Sequence, residues 1–237
     1  MAEQVLPGVY RIKVRLGYVN VYLIVADELV LVDSGLPGQT RRILAAVREA
    51  GRRPEELRHI AITHHHVDHT GSLEPLVKAT KARVYVHPLD AAVTSGKQPV
   101  PCPNPGSVTG KLMWPVIKRI SPTQLSPLEI DHEVQDGEQL SAGGGMRVIH
   151  TPGHTAGHVA YLWQGAGGVL FAGDAAGQLF GRLGLPAPMF TEDMEQARQS
   201  VRKLAELEFD SACFGHGGVL KGKANAAFRR YVEKMAG

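Results

Sequence analysis

The chain has 237 residues, of which 43% are hydrophobic and 21% are charged, as in an ordinary soluble domain. Its 26 basic and 23 acidic residues leave a formal net charge of +3, which is too small to predict binding to nucleic acid or to a membrane. No apolar run is long enough to span a bilayer, and the first residues lack the pattern of a secretory signal. The two cysteines, Cys102 and Cys213, make no disulfide framework. We therefore expect a cytoplasmic protein.

The first third of the sequence predicts an alternation of strands and helices. Runs of β-branched and apolar residues indicate strands, and amphipathic spacing indicates helices. We expect strands at 9–14, 19–25, 29–33, 59–63 and 83–87, and helices at 40–50 and 71–80. This order is typical of an α/β protein whose helices pack on sheets.

The segment from about 91 to 127 has a different character. It contains seven prolines and little periodicity, so it predicts an irregular excursion rather than regular structure. The apolar run Leu112-Met113-Trp114 within it indicates a flap that folds back on the body and covers a pocket. No linker divides the chain, and we expect a single domain over 1–237.

Strands resume after this excursion. We expect them at 128–133, 146–150, 159–163, 169–172 and 211–214, with helices at 191–207 and 224–235. Thr191 is the expected N-cap of the first of these helices. The glycine-rich segments 143–145 and 165–168 lie where hairpin turns need positive φ. Two strand-rich halves, each followed by helices, suggest a sheet-on-sheet core with helices outside.

Four of the 11 histidines fall within the six positions 64–69. A strand exit places alternate side chains on one face, so His64 and His66 can point together while His65 points away. Asp68 and His69 follow at a turn into a helix and can aim a second pair of side chains at a neighbouring point. Converging imidazoles at this spacing predict part of a metal site.

Three later strand ends carry the same kinds of side chain. His154 follows a Pro-Gly turn, Asp174 ends an apolar strand after a glycine, and His216 lies between two glycines. A carboxylate at a buried strand end is costly unless it has a role. With the first cluster these residues make seven candidate ligands, enough for two metals with a position left for water: His64, His66, Asp68, His69, His154, Asp174 and His216.

The run Thr63-His64-His65-His66-Val67-Asp68-His69-Thr70-Gly71 resembles the signature of the metallo-β-lactamase-fold hydrolases. Leu31-Val32-Asp33-Ser34-Gly35 and the three later residues match the other motifs of that superfamily in order, so the resemblance covers nearly the whole chain. It implies a four-layer αββα sandwich in the α/β class, with the metals at the edge between the two β-sheets.

The resemblance also implies a role for each candidate ligand. It assigns His64, His66 and His154 to the first metal. It assigns Asp68, His69 and His216 to the second metal, with Asp174 bridging the two. Asp33 would lie behind the site and orient a liganding histidine through a hydrogen bond. For the histidines without a ligand counterpart we expect structural or surface roles: His59, His65, His87, His132, His150 and His158.

The activity implied by this resemblance is hydrolysis at two divalent metal ions. Zinc suits the nitrogen and oxygen ligands, and iron or manganese would be held as readily. A hydroxide held by the metals would attack the carbonyl of an ester, thioester or lactone in a small, partly apolar substrate, with Asp68 orienting it or carrying its proton. Two other functions stay open, which are a mononuclear iron oxygenase acting on a persulfide and a phosphodiesterase or nuclease.

Within the superfamily, the sequence favours a branch like glyoxalase II or the lactonases. Asp174 matches a bridging carboxylate that true β-lactamases generally lack. Two features weaken an assignment to either enzyme itself. Only 21 residues follow His216, too few for the helical extension of hydroxyacylglutathione hydrolases, and Gly177 stands where acyl-homoserine lactonases often have tyrosine. We therefore expect a compact, generic hydrolase of this kind.

Two segments, 91–127 and 177–190, are candidate walls of the substrate pocket. Their apolar residues would either line the pocket or only anchor the loops. These residues are Leu112, Met113, Trp114, Leu179, Phe180, Leu185, Met189 and Phe190. We expect a small-molecule substrate, with neither nucleic acid nor membrane as a partner, and association of the chain with itself stays open.

Overall fold

The computed structural model describes residues 2–14, 18–102, 104, 108–120, 122–179 and 181–236. Seven strands form the first sheet in chain order, antiparallel from β1 to β4 and parallel from β4 to β7. These strands are β1 (Ala2–Leu6), β2 (Val9–Val14), β3 (Val19–Val25), β4 (Leu29–Val32), β5 (Leu57–Ala61), β6 (Arg83–Val86) and β7 (His132–Glu133).

The second sheet has six strands in the order β15-β14-β11-β10-β9-β8, and β12 and β13 form a separate hairpin. Only the β11–β14 pair is parallel within this sheet of the described chain. The strands are β8 (Gln139–Leu140), β9 (Met146–His150), β10 (Val159–Trp163), β11 (Val169–Phe171), β12 (Gly177–Leu179), β13 (Arg182–Gly184), β14 (Ser211–Cys213) and β15 (Val219–Leu220).

Helices cover the outer faces of both sheets. They are α1 (Thr40–Glu49), α2 (Val67–Thr70), α3 (Leu73–Thr80), α4 (Pro88–Thr94), α5 (Val108–Ile120), α6 (Met194–Ala205) and α7 (Ala224–Ala236). The amphipathic patterns of α1 and α6 leave their charged faces in water and bury residues such as Ile43 and Val201. No helix within the described residues is long and apolar enough to cross a membrane.

Three apolar layers hold this arrangement together. Alternate residues of β3 point to opposite faces, so Tyr22 and Ile24 enter the layer between the sheets while Leu23 packs under α1 and α3. In β10, Tyr161 enters the same inner layer and Leu162 packs under α6 and α7. The chain therefore forms the expected αββα sandwich, in which each sheet is buried on both faces.

The edge of the sandwich that carries the candidate ligands is closed by hydrogen bonds between the sheets. The Tyr161 hydroxyl donates to the Ile62 carbonyl over 2.9 Å, and the Val159 amide donates to the Thr63 carbonyl over 2.8 Å. The Tyr22 hydroxyl donates to the Phe214 carbonyl over 2.9 Å. The three carbonyls that accept these bonds lie one or two positions before the candidate ligands His64 and His216.

The 91–127 segment is more regular than its prolines indicate. Most of them lie before or after α5, which spans Val108–Ile120 and includes only Pro115, so the prediction of an irregular excursion is wrong for those residues. A second helix, α4, ends at Thr94 within the same segment. The prolines therefore mark the two ends of α5, and because they are so frequent on either side, the sequence pattern did not reveal the helix between them.

Two further boundaries differ from the predictions. Of the strand predicted over 128–133, only His132–Glu133 pairs in the sheet, and the preceding residues run without sheet partners. The helix predicted from Thr191 begins at Met194, and its N-cap is Asp193, whose carboxylate accepts hydrogen bonds from the amides of Glu195 and Gln196. Thr191 instead lies at the candidate site. The positive φ expected in the two glycine-rich turns is confirmed.

Replacing Tyr161 by Phe should test the bonds between the sheets. The change leaves the Ile62 carbonyl buried without its partner, so we expect the free energy of unfolding in urea to fall by about 1–2 kcal/mol. Tyr10→Phe removes a hydroxyl from a half-buried position of β2 and is the control. Equal stability of the two variants would contradict the role of this bond.

Candidate metal centre

The first group of candidate ligands consists of His64, His66 and His154, and all three are buried. His64 and His66 lie just beyond β5, where the chain leaves the first sheet. His154 lies on the loop after β9 of the second sheet. Each pair of rings has its centroids 4.7 Å apart and an edge-on arrangement, and one nitrogen from each ring lies within 4.8 Å of the others. The two sheets thus bring three imidazoles to one point.

The second group consists of Asp68, His69 and His216. The short helix α2 places Asp68 and His69 in adjacent positions, and His216 follows β14. His216 Nε2 lies 3.4 Å from Asp68 Oδ2, and His69 Nε2 lies 4.0 Å from the same oxygen. Nitrogen and oxygen atoms of these three residues again fall within 4.8 Å of one another.

Asp174 lies between the two groups. Its Oδ2 is 3.5 Å from His154 Nε2 in the first group and 3.2 Å from His216 Nε2 in the second. Its Oδ1 is 3.6 Å from His69 Nε2, and Asp174 also makes a compact set with His64 and His69. One carboxylate therefore faces imidazoles that arrive from both sheets.

Four buried atoms in this cluster have no hydrogen-bond partner among the described residues. They are the Nε2 atoms of His64, His66 and His69, and Oδ1 of Asp174. Leaving a buried polar atom unpaired costs about 1–3 kcal/mol, so several of them together need an explanation. A divalent cation, which accepts imidazole nitrogens and carboxylate oxygens as ligands, fits this set.

The two groups differ in charge. Burial, together with the neighbouring imidazoles, holds the pKa values of His64 and His66 well below their usual range. Burial likewise lowers the pKa of His154 to about 3, although Asp174 opposes this. These three rings are therefore neutral at pH 7, which is the state that binds a metal.

Carboxylates dominate the second group. Burial opposes protonation of His69, but Asp33, Asp174 and Asp68 raise its pKa to about 9. Burial also opposes protonation of His216, but Asp174 and Asp68 raise its pKa to about 12. The imidazoles of His69 and His216 in turn lower the pKa values of Asp68 and Asp174, against the effect of burial. This part of the site favours positive charge.

Asp33 lies directly behind the second group. Its Oδ2 is 2.7 Å from His69 Nδ1, so the ring donates there and turns Nε2 toward Asp174. Its Oδ1 accepts the Thr63 amide over 2.8 Å. Asp33 has a φ of 62°, a left-handed conformation that aspartate tolerates better than most residues. The carboxylate thus connects β4 to the loop after β5.

The other histidines lie outside both groups. His65 turns away, and its Nδ1 lies 3.1 Å from an Asp90 carboxylate oxygen. His158 accepts the Asp174 amide on Nε2 over 3.0 Å and contacts the Thr151 hydroxyl through Nδ1. The remaining four make contacts elsewhere: His59 with Tyr85 and Glu28, His87 in a stack on His150, and His132 with Glu138.

The residues expected in the pocket walls lie in different settings. Leu112 is 74% exposed, and Leu185 packs into the layer beneath α7. Trp114 packs against a small cluster that includes Val67, the residue before Asp68. Phe180 and the side chains of Met113 and Leu179 lie outside the described residues.

The turn before Thr191 carries the other two expected wall residues. Met189 and Phe190 are half-buried in a single 3-10 turn at Pro188–Phe190, and α5 packs against this turn. A groove of about 750 Å³ does exist beside α4, lined by residues such as Ala91 and Leu128, but it contains none of the seven candidate ligands.

Two residues at the site were not singled out by the sequence. Thr191 was expected to cap a helix, and its hydroxyl lies 3.2 Å from His154 Nδ1. Asp90 is a carboxylate in the apolar run 88–93, and that setting was the signal that could have identified it. Burial opposes ionisation of Asp90, but its contact with His65 lowers its pKa to about 2, so it is charged at neutral pH.

The sequence model of the family described as Metallo-beta-lactamase superfamily matches residues 14–216, which include all seven candidate ligands. The chain belongs to the metallo-β-lactamase superfamily. A probable metallo-hydrolase of Bacillus subtilis, YflN, is 31% identical over 91% of this chain and 86% of its own length. The family and the cluster together make the chain a hydrolase of this fold with a metal-binding histidine–aspartate cluster.

Other members of the superfamily match in sequence or in fold. The hydroxyacylglutathione hydrolase of Halorhodospira halophila is 34% identical over 75% of this chain, which spans about half (54%) of that relative's length. The crystal structure of a metallo-β-lactamase family protein from Thermus thermophilus superposes with a TM-score of 0.72 at 26% identity, covering 98% of this chain and 80% of that one.

Binding of a divalent cation should release protons. Below pH 9 the rings of His69 and His216 are positively charged imidazolium groups in the cation-free protein. Each ring must lose one proton before it can bind a metal. We therefore expect release of about two protons at pH 7.5 and an affinity that rises with pH. The measurement is isothermal titration calorimetry with Zn²⁺ in buffers of different ionisation enthalpy. His132→Gln, on an exposed strand, is the control. A heat of Zn²⁺ binding that does not depend on the buffer would contradict the protonation of His69 and His216.

Proposed function

We propose that this chain binds two divalent metal ions and hydrolyses an ester, thioester or lactone bond of a small, partly apolar molecule. The observation that supports two ions rather than one is the position of Asp174 between two separate sets of ligand atoms. His64, His66 and His154 would hold one ion, and Asp68, His69 and His216 would hold the other. Asp174 would contact both. The nitrogen and oxygen donors suit zinc, iron or manganese.

Ions bound in such a pair lower the pKa of water toward neutrality and polarise a carbonyl oxygen. The protein's own residues provide the rest of the chemistry. Asp68 has the most exposed side chain of the second group, and its pKa is held low, so it is a carboxylate that can accept a proton from an attacking water. Asp33 and His158 hold His69 and Asp174 in place from behind.

The relatives support a carbonyl substrate. Several are named hydroxyacylglutathione hydrolases, and such an enzyme cleaves an acyl thioester. The half-buried Met189 and Phe190 beside Thr191 offer apolar surface close to His154. A small acyl compound therefore fits better than a nucleic acid, for which the net charge of +3 provides little attraction.

A substrate panel on protein of known metal content tests this proposal. We expect two metal ions per chain and turnover of at least one thioester, lactone or aryl ester, without use of oxygen. Protein with one iron per chain and turnover of a persulfide that consumes oxygen would overturn it. Activity on phosphodiesters or RNA but not on acyl substrates would overturn it as well.

Replacing Asp68 tests its part in the reaction. In Asp68→Ala the imidazoles of both groups remain, so we expect much of the metal to stay bound while kcat falls by roughly two orders of magnitude or more. The measurements are kcat on the best panel substrate and the metal content of the same sample. Asp27→Ala, an exposed carboxylate at the turn after β3, is the control. Unchanged kcat in Asp68→Ala would refute the role.

A further inference from the structure

Asp90 is a buried carboxylate that none of the proposed chemistry uses. It lies in the first turn of α4, is 1% exposed, and points toward the loops that carry the first group of ligands. An isolated carboxylate in such a place would be very costly, so its partners indicate what it does. All of them come from two loops, one from each half of the sandwich.

The first partner is the histidine run. Oδ2 of Asp90 accepts the backbone amide of His65 over 2.9 Å, and the same oxygen lies 3.1 Å from Nδ1 of the His65 ring. Both contacts hold the residue between His64 and His66. His64 and His66 face the site while the ring of His65 faces Asp90, so contacts that hold His65 also restrain the two histidines on either side of it.

The second partner is the loop after β9. Oδ2 of Asp90 also accepts the Thr155 hydroxyl over 2.8 Å, and Oδ1 accepts the Gly157 amide over 2.9 Å. Thr155 directly follows His154, and both are buried. A Cβ atom at Gly157 would lie only 2.4 Å from Asp90 Oδ1, so the loop approaches the carboxylate as closely as glycine allows.

We propose that Asp90 is a positioning residue that sets the spacing between His154 and the pair His64 and His66, and thereby the affinity of the first metal position. The proposal rests on the proposed function, because it assumes that these three histidines bind a metal. Hydrogen bonds to a charged carboxylate are stronger than neutral ones, so one residue can hold two loops in register. The second group has its own carboxylate, Asp33, and forms no hydrogen bond with Asp90 among the described residues.

This role explains His65, the middle histidine of the run 64–66. His65 is not a ligand, and its ring instead packs against the Asp90 carboxylate within the protein. The first group therefore has an outer layer of the kind that supports metal-binding histidines in general, in which partners behind the ligands fix their orientation. Here the carboxylate acts through the backbone of both loops, at His65 and Gly157, and through the side chain of Thr155.

Asp90→Asn tests the proposal with little change in shape. The amide nitrogen must face a backbone donor, either the Gly157 amide or the His65 amide, so at least one of the two loops loses a hydrogen bond. We expect the affinity of one of the two metal-binding steps to fall about 10- to 100-fold in chelator competition, with the other step unchanged. We also expect a changed visible absorption spectrum of the Co²⁺-substituted protein, because this spectrum reports ligand geometry.

A second pair of variants separates positioning from folding. Thr155→Val removes one bond to Asp90 and keeps the shape, whereas Thr155→Ser keeps the hydroxyl. We expect Thr155→Val to shift the same metal-binding step and Thr155→Ser to restore it, even if Asp90→Asn does not fold. Asp131→Asn is the matched control, since its carboxylate also accepts a backbone amide, that of Val84, at a distance from the ligands.

The outcomes distinguish the two proposals. Wild-type protein that binds no metal would overturn the proposed function and this inference together. Wild-type protein that binds two metals, with both affinities and the Co²⁺ spectrum unchanged in Asp90→Asn and Thr155→Val, would overturn only this inference. In that case a lower free energy of unfolding of the metal-free variants would show that Asp90 has a structural role alone.

Discussion

The fold must keep several buried polar atoms close together although none of them has a hydrogen-bond partner. Imidazole nitrogens from His64, His66 and His69 and one oxygen of Asp174 face a common space, buried and unpaired among the described residues. Their combined cost, at about 1–3 kcal/mol each, is a large part of the 5–15 kcal/mol by which a domain is usually stable. The surrounding fold must therefore provide enough support to keep these side chains in place, and binding of a cation would recover the cost.

The αββα sandwich provides this support because its two sheets end at the same edge. β5 leads into the histidine run, while β9, β11 and β14 all point the same way in the second sheet and end before His154, Asp174 and His216. Neither sheet carries a complete group of ligands. Correct docking of the sheets, fixed by buried bonds such as that of Tyr161 to Ile62, is therefore a condition for the site.

The sequence predicted the strands around the site well because they are continuous apolar runs bounded by glycine or proline, as in Val159–Trp163. It also identified the residues that now lie together, since the histidine run and three strand ends repeat one chemical pattern. It did not predict α5, because the prolines on either side conceal a helix of 13 residues. Asp90 was equally hidden, since hydrogen bonds to Gly157 and Thr155, more than 60 positions away, leave no local pattern.

The two groups differ in charge, and this difference bears on the proposed reaction. Two divalent ions would bring four positive charges, while Asp68, Asp174 and Asp33 bring three negative charges. Asp68 and Asp33 lie on the side of the second group, and Asp174 lies between the groups. The first group is made of neutral imidazoles, and the charge of Asp90 is already taken up by His65, Thr155 and Gly157. Under the proposed function one positive charge would be left without a protein partner, so negative charge developing on a carbonyl oxygen of the substrate would be favoured near the first group. The attacking water would lie on the other side, beside Asp68, where a carboxylate can take its proton.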